Sequence, residues 1–73
     1  MSWREAAKKR AALKAVEHVE NGFVLGLGSG STAAYAIREI GKRIRKESLT
    51  VLGVPTSYQT FHLAVECGIP ITT

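Results

Sequence analysis

Length, composition and charge restrict the chain to one small, basic unit. Its 73 residues carry ten lysines and arginines against six acids, and the formal net charge of +4 favours an anionic partner. A single cysteine, Cys67, cannot form an internal disulfide, and no apolar stretch resembles a signal peptide or a membrane span. We therefore expect a cytoplasmic protein with no membrane partner.

The first predicted element is a helix over residues 3–20. Ser2 and Glu5 form the S-x-x-E pattern of a capping box, and Gly22 fits the left-handed position after a helix end. Apolar residues at spacings of three and four form one stripe, which comprises Ala12, Leu13, Val16 and Val19.

A glycine-rich segment joins the first predicted strand, residues 23–25, to a second helix. Residues 26–32 read GLGSGST, so glycine leaves room for a ligand and Ser31 or Thr32 can cap the helix that follows. The free N–H groups at that helix start point outward with the positive end of the helix dipole. The segment predicts a site for a single phosphate, with additional donors from the hydroxyl groups of Ser29, Ser31 and Thr32.

Nucleotide-binding motifs match this segment less well. The dinucleotide fingerprint G-x-G-x-x-G has Gly26 and Gly28 but Ser31 in place of its third glycine. The P-loop requires a lysine where Ser31 stands. A tight turn that binds nothing is the remaining alternative.

The rest of the chain continues the alternation of helices and strands. The second helix begins at about Thr32 and ends in the basic run 42–46, whose cations complement the helix dipole. A second strand over residues 49–54 is stopped by Pro55. The apolar stripe of the second helix comprises Ala33, Ile37, Ile40 and Ile44.

A third helix and a third strand follow Pro55. Thr56 or Ser57 can cap a helix over residues 58–67, Gly68 supplies its left-handed end, and residues 69–72 form a strand. The residues expected to face inward on this helix are Phe61, Ala64 and Val65.

The order α-β-α-β-α-β predicts an α/β fold, a Rossmann-like open parallel sheet with right-handed crossovers. Ligands in such sheets lie beyond the carboxyl ends of the strands, where the glycine-rich segment and the turn at residues 55–57 both fall. No helix covers the third strand, so the sheet is incomplete and should expose apolar surface. We expect a piece of a longer chain or a unit that dimerises.

Two segments resemble those of ribose-5-phosphate isomerases of the A type. Residues 26–33 read GLGSGSTA, close to the family pattern G-x-G-[ST]-G-S-T-A, and residues 53–57 read GVPTS. The resemblance covers essentially all of residues 1–73 and implies that they are the N-terminal part of a single Rossmann-like sugar-phosphate isomerase domain. It implies interconversion of ribose 5-phosphate and ribulose 5-phosphate, in the non-oxidative pentose phosphate pathway, by a homo-oligomer that uses no cofactor.

The resemblance also implies the binding residues. It places the sugar phosphate at Ser29, Gly30, Ser31 and Thr32, with Lys8 from the first helix as a further ligand and Lys9 as its rival. The family's D-G-A-D-E-like and K-G-G-G-like motifs and its catalytic glutamate lie beyond residue 73. No catalytic residue is therefore expected in this segment, and the 73 residues alone should not isomerise the sugar.

Two other functions use similar folds. Sugar-phosphate effector domains of transcription regulators carry similar glycine loops, and a nucleotide-binding Rossmann-like unit is disfavoured by Ser31 in the third glycine position. The basic run 42–46 lacks interleaved aromatic residues, so no nucleic-acid partner is expected. His18 and His62 lack metal-ligand spacing, so no metal is expected.

Overall fold

The structure is a computed structural model that describes residues 3–73, so Ser2 of the expected capping box lies outside the described residues. Helices and strands alternate, which confirms the α/β fold and the incomplete Rossmann-like sheet. The elements in chain order are α1 (Trp3–Val16), β1 (Val24–Leu27), α2 (Ser31–Glu47), β2 (Leu52–Pro55) and α3 (Tyr58–Glu66).

Strands β1 and β2 pair in parallel, with Val24 beside Leu52 and Leu27 beside Pro55. Because side chains alternate between the two faces of a strand, Leu27 points into the core while Val24 and Leu52 share the opposite face. Val24 is 61% exposed and Leu52 is 41% exposed, whereas Leu27 is buried. The expected exposure of apolar sheet surface is thus confirmed.

Both strands differ from their predicted bounds. β1 begins after Phe23 and includes Gly26, so the turn itself is confined to residues 28–30. β2 starts at Leu52, three residues later than predicted, and the N–H of Thr50 before it is bound to the side chain of Asn21. Pro55 is the last residue of β2 rather than the first residue after it. At the end of a strand the N–H group that proline lacks is not needed to continue the pairing.

The predicted third strand, residues 69–72, is reduced to a single parallel bridge between Ile71 and Gly53. Gly53 donates its N–H to the Pro70 carbonyl at 2.8 Å and accepts from the Thr72 N–H at 2.9 Å. Pro70 has no N–H group with which to extend the ladder. The segment lies beside β2 as expected, but only one residue of it pairs.

Helix α1 ends at Val16, four residues before the predicted end, because another helix caps it. The Arg43 side chain of α2 donates from Nη1 to the Val16 carbonyl at 2.7 Å and to the Val19 carbonyl at 2.8 Å. Gly22 has the positive φ that was expected, 89°, but it lies in a separate turn rather than at the helix end. A single long-range cation therefore sets the end of α1.

Helices α1 and α2 run parallel to each other. Glu5 near the start of α1 meets Tyr35 near the start of α2, and Val16 at the end of α1 meets Arg43. The predicted stripe of α2 is confirmed, since Ile37 and Ile40 are buried and Ile44 and Ala33 are partly buried. The starts of α1 and α2 consequently lie at the same end of the molecule.

Helix α3 is capped by Ser57, as predicted, and Gly68 has φ 80° at its other end. Its inward face was predicted wrongly: Ala64 is fully buried, but Phe61 is 40% exposed and Val65 is 55% exposed. Thr60 occupies the inward position instead, because its hydroxyl group is needed to close the helix start.

Candidate functional site at the glycine-rich turn

The turn at residues 28–30 ends in a helix start that no side chain caps within the described part of the chain. Gly30 is the N-cap, with φ 98° and ψ 173°, so the prediction that Ser31 or Thr32 caps the helix is wrong. Gly30 takes this place because a positive φ favours glycine and a hydroxyl residue would be strained there. Ser31 and Thr32 instead form the first exposed turn of α2.

This helix start leaves backbone donors available. The first bond across the turn runs from the Ala34 N–H to the Gly30 carbonyl at 3.0 Å. The N–H groups of Ser31, Thr32 and Ala33 precede that bond and have no carbonyl four residues back within the helix. Convergent N–H groups at the positive end of a helix dipole favour an anion.

The start of α3 differs because its own hydroxyl groups close it. The Ser57 hydroxyl accepts from the Thr60 N–H at 3.2 Å, and the Thr60 hydroxyl accepts from the Ser57 N–H at 3.1 Å. Thr60 Oγ1 also accepts from the Thr56 N–H at 3.2 Å. The start of α3 is therefore satisfied internally and serves as a wall of the site.

Two contacts hold the α3 start against the turn. Thr56 Oγ1 donates to the Leu27 carbonyl at 2.7 Å, which ties residue 56 to the end of β1. Ser29 Oγ lies 3.5 Å from Ser57 Oγ, at the limit of a hydrogen bond. The two loops at the carboxyl edge of the sheet thus form one rim, as the sequence predicts.

Between α2 and α3 this rim opens into a cavity of about 220 Å³. Ser29, Gly30 and Ser31 lie at its polar side, and Gln59 and Thr60 of α3 face them. Sequence reasoning missed the last two, although the spacing of Ser57 and Thr60 is that of a capping box and could have indicated them. None of the residues 3–73 that line the cavity is a carboxylate.

The two lysines proposed from the resemblance lie on α1 and do not line this cavity. Lys8 Nζ is 3.5 Å from Glu5 Oε1, and Glu5 Oε2 accepts from the Tyr35 hydroxyl at 3.1 Å. That hydrogen bond, together with desolvation and the negative charge of Glu5, raises the pKa of the Tyr35 phenol above 10.0. Lys9 borders a separate groove between α1 and α2.

Among residues 3–73, no three histidines, cysteines or acids come together in a group that could hold a metal ion. The same residues contain no helix long and apolar enough to cross a membrane. Cys67 carries a free thiol that packs partly buried against the core.

The fold and the turn define the class: an α/β protein of Rossmann-like topology with an uncapped glycine-rich helix start at the carboxyl edge of its sheet. No protein-family model matches the chain. Ribose-5-phosphate isomerase A of Methanothermobacter thermautotrophicus is 56% identical over 66 residues, which cover 90% of this chain and 29% of that protein. The same enzyme of Methanoregula boonei is 57% identical over 68 residues, covering 93% and 28%.

The chain is also similar to solved structures of the same enzyme. The ribose 5-phosphate isomerase A of Methanocaldococcus jannaschii superposes with a TM-score of 0.92 at 52% identity, over 94% of this chain and 31% of that one. A ribose-5-phosphate isomerase in complex with phospho-erythronic acid superposes with a TM-score of 0.90 at 44% identity, covering 94% and 31%. Over 90–94% of its own length the chain is thus similar to ribose-5-phosphate isomerase A, and it spans about 30% of the length of these relatives.

Proposed function

We propose that the chain is the phosphate-binding part of an isomerase that interconverts ribose 5-phosphate and ribulose 5-phosphate. The observation that carries this proposal is the uncapped start of α2, where three successive N–H groups follow Gly30 at the rim of a cavity whose side toward the turn is polar. A relative of the same fold is known in complex with phospho-erythronic acid, a phosphorylated sugar acid. The comparisons lend no support to the sensor or nucleotide-binding alternatives.

In this proposal the turn binds the phosphate and the cavity holds the adjoining carbon chain. The N–H groups of Ser31 and Thr32 donate to phosphate oxygens, and the hydroxyl groups of Ser29, Ser31 and Thr32 add donors. Gly30 contributes only its backbone. The turn requires a positive φ at this position, and a residue with a side chain would be strained there. Lys8 supplies a cation from α1, with Lys9 as the alternative.

The proton transfer between the first two sugar carbons requires a general base, and three of the six acids of the chain are already paired with other side chains. Glu39 pairs with Lys42 at 3.8 Å, Glu47 pairs with Arg43 at 3.3 Å, and Glu5 joins α1 to α2. The remaining acids are exposed: Glu17, Glu20 and Glu66. We therefore propose that the catalytic carboxylate comes from outside these 73 residues, and that the complete protein is a cytoplasmic homo-oligomer.

A chimera tests the activity. The matched N-terminal region of the M. jannaschii enzyme, which superposes with a TM-score of 0.92, is replaced by this chain. The chimera should interconvert ribose 5-phosphate and ribulose 5-phosphate, while the 73 residues alone should show no turnover. A folded but inactive chimera, or turnover by the chain alone, would contradict the proposal.

Binding tests the site. Ser31→Leu removes a donor and crowds the helix start, so it should weaken ribose 5-phosphate binding and raise KM in the chimera by about tenfold or more. Thr50→Leu serves as the matched control. It changes an exposed residue that precedes β2, at the edge of the sheet opposite the turn. Ribose without phosphate and NAD are the control ligands. Equal KM values for the two variants, or binding of NAD without ribose 5-phosphate, would show that the turn is not the phosphate site.

A further inference from the structure

The hydroxyl group of Thr56 completes the pairing of β1 with β2. In this parallel pair the Phe23 carbonyl accepts from the Leu52 N–H at 3.0 Å. Because such a ladder repeats at every second residue along both strands, it would next-but-one bring the Leu27 carbonyl to the Thr56 N–H. The Thr56 hydroxyl takes the place of that N–H and donates to the Leu27 carbonyl at 2.7 Å. A side chain therefore supplies the last bond at the end of β1.

The N–H group of Thr56 is used by α3 instead. It donates to Thr60 Oγ1 at 3.2 Å, and the same oxygen accepts from the Ser57 N–H at 3.1 Å, which closes the helix start. A residue without a hydroxyl group at position 56 could supply only its N–H, and this could satisfy the ladder or the helix start but not both. Thr56 thus fixes the end of β1 and the start of α3 relative to each other.

The turn that follows Leu27 depends on this bond for its direction. Gly28 and Gly30 leave its backbone conformationally free, and a Cβ at Gly30 would meet no atom within 4 Å, so packing does not hold the turn there. The second link between the turn and α3 joins Ser29 Oγ to Ser57 Oγ at 3.5 Å, the limit of a hydrogen bond. The 2.7 Å bond at Leu27 is therefore the stronger of the two links.

We propose that Thr56 is a positioning residue for the glycine-rich turn. Its hydroxyl group fixes the direction in which the chain leaves β1, so that the Ser29 hydroxyl and the N–H groups at the start of α2 converge on one phosphate group. Among the described residues, Thr56 does not line the cavity, and it acts through Leu27 rather than by touching the ligand. Donors that are already in place bind an anion more tightly, because binding does not have to order them. The proposal rests on the proposed function of the turn.

Titration of the 73-residue chain with ribose 5-phosphate, followed by the amide NMR signals of Ser31 and Thr32, tests this role. Thr56→Val keeps the branched shape but removes the hydroxyl group, so Kd should rise about three- to tenfold, the equivalent of about one hydrogen bond. Thr56→Ser keeps the hydroxyl group and should bind within about twofold of wild type. Wild-type Kd in Thr56→Val, or binding by Thr56→Ser as weak as by Thr56→Val, would overturn the proposal.

A variant destabilised elsewhere separates positioning from a general loss of structure. Arg43→Met removes the bonds to the carbonyls of Val16 and Val19, about 18 Å along α2 from Ser31 at the usual helical rise. This change should lower Tm but leave Kd within about twofold of wild type, because the two sites share no partner. An equal rise in Kd in Arg43→Met and Thr56→Val would overturn the proposal, since both would then reflect stability alone.

Kinetics of the chimera give a second measurement, which also applies where Thr56→Val prevents the short chain from folding. Thr56→Val should raise KM for ribose 5-phosphate about three- to tenfold and change kcat by less than about twofold, because the lost interaction acts on binding. A lower kcat with unchanged KM would overturn the positioning role. If Ser31→Leu raises KM and Thr56→Val does not, only the role of Thr56 fails. If neither variant raises KM, the turn is not the phosphate site and both proposals fail.

Discussion

Replacing Arg43 should destabilise the protein and thereby test the role of this side chain at the end of α1. Its Nη1 donates to the Val16 carbonyl at the end of α1 at 2.7 Å and to the Val19 carbonyl in the following turn at 2.8 Å, and its Nε lies 3.3 Å from Glu47 Oε1. Only 22% of its side chain is exposed. The Val16 carbonyl also accepts from the Val19 N–H at 3.0 Å, whereas the Val19 carbonyl depends on Arg43. Arg43→Met keeps much of the packing and removes these donors.

The expected loss follows from the contacts. A hydrogen bond from a charged donor contributes about 1.5–3 kcal/mol, and the exposed pair with Glu47 adds about 0–1 kcal/mol. Because one of the two carbonyls keeps a partner, we expect Arg43→Met to lower the free energy of unfolding by about 2–3 kcal/mol. A protein of this length has a total of roughly 4–11 kcal/mol, so Tm should fall by about 10–20 °C.

Thermal and urea unfolding followed by circular dichroism measure this loss. The control is Lys42→Met at the neighbouring position of α2, where the side chain is 58% exposed and pairs with Glu39 at 3.8 Å. That change should stay within about 0.5 kcal/mol. Equal unfolding free energies for the two variants would refute the conclusion that Arg43 caps α1.

Three further changes probe other contacts. Thr60→Val should cost about 1–2 kcal/mol in urea unfolding because the partly buried backbone N–H groups of Thr56 and Ser57 lose their acceptor; a variant as stable as wild type would contradict the capping role. Gly41→Ala should be net destabilising, by about 1 kcal/mol, because its Cβ would meet the Cys67 carbonyl oxygen at 2.7 Å and this outweighs the gain in helix propensity; a raised Tm would be inconsistent with this close approach. The Tyr35 phenol has a raised pKa, so its contribution to stability is full below about pH 10 and is lost as the pH rises through the raised value. Absorbance titration should show that pKa falling in Glu5→Gln, and an unchanged curve would argue against the Glu5 contact.

Features set by neighbouring residues could be read from the sequence. Ser57 caps α3, and Gly68 adopts the left-handed conformation after it, because both depend on backbone geometry within a few residues. The stripe of α2 through Ile37 and Ile40 was also predictable, since the helical period decides which residues share a face. The position of the glycine-rich turn and of the loop at residues 55–57 at the carboxyl ends of the strands followed from the α/β order alone.

Features set by distant residues could not be predicted. α1 ends at Val16, where Arg43, 27 residues later in the sequence, donates to its last carbonyl. The preference of Ser31 for a cap was overridden by Gly30, which alone suits the positive φ of the turn. Phe61 turns outward because Thr60 must face the helix start. The spacing of apolar residues alone does not reveal this requirement.

The parallel arrangement of α1 and α2 has an electrostatic consequence. Since α2 and α3 both start at the carboxyl edge of the sheet, all three helices direct their positive poles toward the rim that contains the turn. Their fields add, on a chain that already carries an excess of cations. Negatively charged small molecules should be drawn toward this rim before any contact is made, and their capture rate should fall as added salt shortens the screening length.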